Sequence, residues 1–168
     1  NCLLASNLAT NYGGGACSGV LNNCSLAFNT AVYYAGGEYG SGLTNCSIST
    51  NTSSYGGGAY FGSLTDCTLV GNRASWGGGG ASRASSTDCV LTGNAATNDG
   101  GGTRHGTLRN SGRPYLVASD ISVPVGETVT IEPGAVLLFG EFTGLQVHGT
   151  LLALGTDAGQ IYFSSIKD

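Results

Sequence analysis

The chain has no methionine, one tryptophan and only 10% charged residues, and it carries 30 glycines in 168 positions. That composition is poor in helix formers, and the glycines work against helices directly. Abundant Asn, Ser, Thr, Tyr and Val suit strands and turns, so an all-β fold is expected. No cluster of Lys or Arg is present and the formal net charge is −4, which leaves no electrostatic footprint for DNA or RNA. No run approaches the roughly 18–20 apolar residues of a membrane-spanning helix, and the N-terminus lacks the basic, apolar and small-residue regions of a signal peptide. The chain opens at Asn1 in the middle of a repeat motif and so reads as a piece of something longer.

What is present is a repeat. Cys2, Cys24, Cys46, Cys67 and Cys89 are spaced 22, 22, 21 and 22 residues apart. Two positions after each stands an aliphatic residue: Leu4, Leu26, Ile48, Leu69 or Leu91. Three further on stands Asn7, Asn29, Asn51, Asn72 or Asn94, and before each Cys stands Asn1, Asn23, Asn45, Asp66 or Asp88. Leu21, Leu43 and Leu64 lie three before a Cys, and Leu108 three before Ser111, where a sixth coil starts and leaves the pattern. Each unit also carries glycines, such as Gly13 to Gly15, Gly56 to Gly58 and Gly77 to Gly80.

A unit of about 22 residues at about 3.3 Å per extended residue traces one triangular turn of three short strands. The expected fold is therefore a right-handed single-stranded parallel β-helix, with equivalent residues in straight ladders about 4.8 Å apart. Period-2 placement sends Cys and the following Leu inward together. The Asn row is expected to bond amide to amide between coils, and the glycines to supply positive φ or close backbone approach. Tyr12, Tyr34, Tyr55 and Trp76 beside the glycines are expected to stack into an exposed stripe.

Gly57-Gly58-Ala59 followed by Leu69-Val70-Gly71-Asn72 resembles the GGA[ILV] and FxxN repeats of polymorphic outer membrane proteins, with Leu in the Phe position. That family is similar to autotransporter passengers, and the resemblance, over residues 1–112, implies a surface-exposed β-helix concerned with adhesion. Residues 113–168, with Val123-Pro124-Val125-Gly126, Ile131-Glu132-Pro133-Gly134 and Val147-His148-Gly149-Thr150-Leu151, look like the opening coils of bacterial β-helix domains. Two segments are thus expected, a five-coil repeat at 1–112 and further coils at 113–168, either separate or on one axis.

Candidate chemistry is sparse. The five ladder cysteines are read first as small buried thiols, with a disulfide between neighbouring rungs or from Cys17 left open. Paired C-x-x-C motifs are missing, so no metal or cofactor is expected. Asp66 and Asp88 are placed on adjacent rungs, where a carboxylate pair is what a retaining glycosidase uses. As turn residues capping their own backbone they need no chemistry at all. His105 and His148 are read as solvated, and Asn98-Asp99-Gly100-Gly101-Gly102 is a single weak likeness to the calcium nonapeptide. The sequons at Asn23, Asn45 and Asn51 are expected by chance in so Asn- and Ser-rich a repeat.

Two classes of function follow. The first is a non-enzymatic structural or adhesive module, extracellular or on a bacterial cell surface. Its partners are a surface receptor, a glycan or further copies stacked head to tail into a fibre. The second is a carbohydrate-binding or carbohydrate-active β-helix of the lyase or hydrolase kind, using the aromatic stripe for sugars and Asp66 and Asp88 for acid–base work.

Overall fold

The structure, a computed structural model, describes residues 1–97, 106–110, 112, 114–117, 120–123 and 125–167. Asn98 to Gly102, Arg104, His105, Ser111 and Arg113 lie outside the described residues. Among the described residues there is no helix, and every pairing between named strands is parallel. The strands wind as a parallel β-solenoid with three faces. The first face runs Leu3–Ala5, Ser25–Ala27, Ser47–Ser49, Thr68–Val70, Val90–Thr92, Tyr115–Val117, Val136–Phe139 and Tyr162–Ser165. The second is Leu8–Ala9, Thr30–Ala31, Thr52–Tyr55, Arg73–Gly77 and Ala95–Ala96. The third begins with Ala16–Asn22 and Glu38–Thr44 and ends at Thr150–Ala153.

Left-handed backbone turns the chain at each corner. Asn23, Asn45, Asp66 and Asp88 have φ of 52–56°, which explains why the residue before each Cys is Asn or Asp, the side chains that best tolerate this region. A second corner precedes each ladder Asn, at Ser6, Phe28, Thr50, Gly71 and Gly93. A third uses Gly13, Ala35, Gly56 and Gly78. One residue of a cluster therefore turns with positive φ, the first in Gly13 to Gly15 and Gly56 to Gly58 and the second in Gly77 to Gly80. The next two serve close approach: a Cβ on Gly57 would lie 2.3 Å from the carbonyl oxygen of Arg73, and one on Gly37 would lie 2.4 Å from that of Gly58.

Inside, Leu4, Leu26, Ile48, Leu69 and Leu91 are in exact register along the first face, and Leu21, Leu43, Leu64, Ser86, Leu108 and Ile131 along the third. The cysteine row packs with them in one core cluster, and a second cluster is built around Val123, Val129, Ile131 and Leu137. The second cluster begins with Leu108, inside the first expected segment, and strand pairing continues across the two. Val90–Thr92 pairs with Tyr115–Val117, and Ser85–Thr87 with Gly106–Leu108. Tyr115 pins this junction: its hydroxyl accepts the Arg109 N–H (3.0 Å) and donates towards the carbonyls of Arg109 (3.0 Å) and Ser86 (3.3 Å). Burial pushes its phenol up to about 12.

Gly57→Ala is expected to destabilise the fold by about 3 kcal/mol, because the methyl group meets backbone that cannot yield. Gly42→Ala is expected to fall within about 0.5 kcal/mol of the parent, since its Cβ would find only Ser63 Oγ at 3.5 Å. Paired denaturant melts check the contrast.

Candidate functional site

The most ordered polar feature is the asparagine ladder. Asn29, Asn51, Asn72 and Asn94 are buried inside the second corner. Each Oδ1 accepts two bonds from the preceding coil: Asn51 Oδ1 takes the Asn29 N–H (2.8 Å) and Nδ2 (3.0 Å), and Asn72 Oδ1 takes the same pair from Asn51 (2.9 and 2.9 Å). The second Nδ2 proton goes to a carbonyl one coil back, from Asn51 to Leu26 (2.9 Å) and from Asn72 to Ile48 (2.8 Å). In Asn29, Asn51 and Asn72 every donor and acceptor of the amide is used, which is what makes a buried primary amide tolerable. Asn7, in the first coil, joins the same ladder through Asn29 but is exposed.

The cysteine ladder lies inside the coil, and a hydrogen bond with Cys89 lowers the Cys67 thiol to about 7. Cys24, Cys46, Cys67 and Cys89 are buried and unpaired, and each thiol donates to the carbonyl two residues earlier at 3.2–3.3 Å. Burial raises the Cys46 thiol above its usual range. A hydrogen bond to Cys67, together with burial, holds Cys89 protonated. Cys2 and Cys17 are exposed free thiols.

The aromatic stripe differs from the expected one. Tyr12, Tyr34 and Tyr55 do stack, with centroids 5.6 and 5.5 Å apart and interplanar angles of 13° and 22°. Trp76 does not join them. Residues Asn51 to Gly56 hold one residue fewer than Asn72 to Gly78, so the strands shift register between Ala74 and Gly77, and Gly77 pairs with Tyr55. Trp76 sits in the resulting bulge, 54% exposed. A second row, Tyr39 and Tyr60, stacks beside the first at 5.8 Å and 9°. The rows interlock through Tyr12–Tyr39 and Tyr34–Tyr60, both 4.7 Å. Phe61 stands edge-on to Tyr60, and Arg83 lies 5.8 Å over the Phe61 ring while pairing with Glu127 at 3.2 Å. The repeated Tyr-x4-Tyr spacing of Tyr34/Tyr39 and Tyr55/Tyr60 was the signal for this second row.

Asp66 and Asp88 occupy the left-handed corner in line with Asn23 and Asn45, so conformation accounts for their presence. His148 is exposed, and among the described residues no three His, Cys, Asp or Glu side chains converge as metal ligands.

One buried acid had no sequence signal beyond its place in an inward row of small residues. Glu38 is fully buried between Ala16 and Ala59 on the third face. Its Oε2 accepts the Ser41 N–H at 2.8 Å, while Oε1 has no partner. Burial outweighs that hydrogen bond and pushes the carboxyl up to about 8.

These features define a parallel β-solenoid repeat protein whose polar residues repeat coil by coil. No family model matches the chain, and no solved structure matches it. It is similar to Protein bark beetle of Drosophila melanogaster, 43% identical over 58 residues, which is 34% of this chain and 2% of that protein. The chain therefore spans a very small fraction of the relative it matches.

Asn51→Leu should cost roughly 3–5 kcal/mol, because it strands the Asn29 donors, the Leu26 carbonyl and the Asn72 amide at once. Equilibrium unfolding reads this directly. For Glu38, folding raises the pKa from 4.5 to about 8, so the folded state retains the proton and loses stability as pH rises through that window. Glu38→Gln is expected to match the parent near pH 4 and to exceed it by up to about 4 kcal/mol above pH 8. Melting curves from pH 4 to 9 check it, and a gain independent of pH would rule out ionisation as the cause.

Proposed function

We propose that this chain is a non-enzymatic structural and adhesive module of an extracellular or cell-surface protein, a rigid rod segment that carries contacts on its outer faces. The observation that supports this reading is the use of the repeated polar side chains. The amides of Asn29, Asn51 and Asn72 are spent on neighbouring coils, which stiffens a rod. The four buried thiols are spent on carbonyls of their own corners, and among the described residues no three potential metal ligands converge. The bacterial surface setting rests on the likeness to polymorphic outer membrane and autotransporter repeats.

End-to-end growth has support in the terminal coils. Leu4 is only partly buried whereas Leu26, next in its row, is fully buried. At the other end Phe163 is 47% exposed whereas its row partner Leu137 is fully buried. A second copy would stack there by the same parallel bonding. The carbohydrate-active alternative draws no support from Asp66 and Asp88, whose corner conformation suffices to explain them. Nor does the tyrosine stack offer sugars its ring faces, since those are covered by one another.

Small-angle scattering and electron microscopy over a range of concentrations test the assembly. Rods that lengthen with concentration, and that shorten again in Phe163→Lys, are the expected result. Dispersed monomers of constant length at every concentration rule out the fibre.

A further inference from the structure

The described residues hold four cationic side chains. Arg83 pairs with Glu127, Arg109 with Glu132 and Lys167 with Glu141. Arg73 alone among them has no carboxylate partner among the described residues, in a chain whose net charge is −4. It lines a groove of 330 Å³ that crosses three rungs of the second face, together with Thr52, Ser75 and Thr97 and the alanines Ala74, Ala95 and Ala96. The register sets Thr52, Arg73 and Ala95 side by side, and Ala74 beside Ala96. Trp76, thrown outward by the bulge, follows Ser75 on the same strand.

We infer that this groove binds an acidic saccharide, a pyranose bearing one carboxylate, of the uronic or sialic acid type. The inference rests on the adhesive reading above and supplies its ligand. Each part of the groove matches one part of such a sugar. The guanidinium presents paired N–H donors to a carboxylate. Three hydroxyls meet the ring hydroxyls and the alanines accept the C–H face, while the exposed Trp76 follows Ser75 at the edge of the lining and is not one of its residues. The volume, at the low end for small-molecule sites, suits one or two rings. A neutral sugar leaves Arg73 unpaired. A polyanion such as nucleic acid meets, among the described residues, one cation without a carboxylate partner and a chain of net charge −4, and is repelled.

Trp76 is the sole tryptophan, so intrinsic fluorescence reports this site without a label. The probes are methyl galactosiduronate against methyl galactoside, and 3′-sialyllactose against lactose, each titrated by fluorescence and calorimetry. At least one acidic sugar is expected to shift Trp76 emission while its neutral twin does not, and the arm that responds tells uronate from sialate. Arg73→Gln is expected to weaken that binding about tenfold or more, and added salt to weaken it too. Silence from both acidic probes at millimolar concentration, or equal binding by Arg73→Gln, overturns the inference. Scattering from the same samples separates the two readings: a folded rod that ignores both sugars overturns only the saccharide site, whereas a particle that is not a rod overturns the module reading with it.

Discussion

Parallel hydrogen bonding between successive coils, about 4.8 Å apart, is the constraint on which everything else depends. It forces each inward side chain to sit directly on its equivalent, so a residue is acceptable only if it can pack against a copy of itself. Leucine and cysteine meet that test by shape. Asparagine meets it by chemistry, since an amide carries both the acceptor that takes two bonds from the coil before and the donors that reach the coil after and the carbonyl behind. A carboxylate cannot repeat in that way, because two acceptors would face each other. Glu38 is tolerated as a single buried acid between alanines, protonated across the neutral range.

The same constraint explains why the outer corner became aromatic. Once Tyr12, Tyr34 and Tyr55 are in register, their rings have no choice but to stack, and the Tyr39/Tyr60 row five residues along closes against them. Each such pair adds about 0.5–1.5 kcal/mol beyond simple burial. The stack therefore serves the rod. The row ends because Gly77, and no aromatic residue, stands before the corner Gly78 and pairs with Tyr55, while Trp76 lies one residue earlier and is exposed.

Tyr115 and the Arg83–Glu127 pair show how a stack survives a change of repeat. Beyond Leu108 the Asn and Cys ladders stop, and the core changes to Val, Ile and Leu. The first and third faces continue because backbone pairing is indifferent to side chains, while a phenol and an ion pair reaching 44 residues supply the lateral ties. A solenoid needs only nearest-neighbour compatibility, so two repeat types share one axis.

The periodicity of Cys, Leu, Asn and glycine was enough by itself to determine the fold class, the coil length, the inward rows and the amide ladder. All of these follow from identical residues recurring at one spacing, a property of the chain alone. Position within the coil was legible where the period was unbroken and failed where it was not. Trp76 lies one residue out of line, and only the bulge decides that it points away from the tyrosines. The burial of Glu38 and the isolation of Arg73 were likewise beyond the sequence, because each depends on which residues neighbouring coils bring alongside. Pairing of charges across coils is set by register and corner geometry in three dimensions, and a lone charge has no period from which to read it.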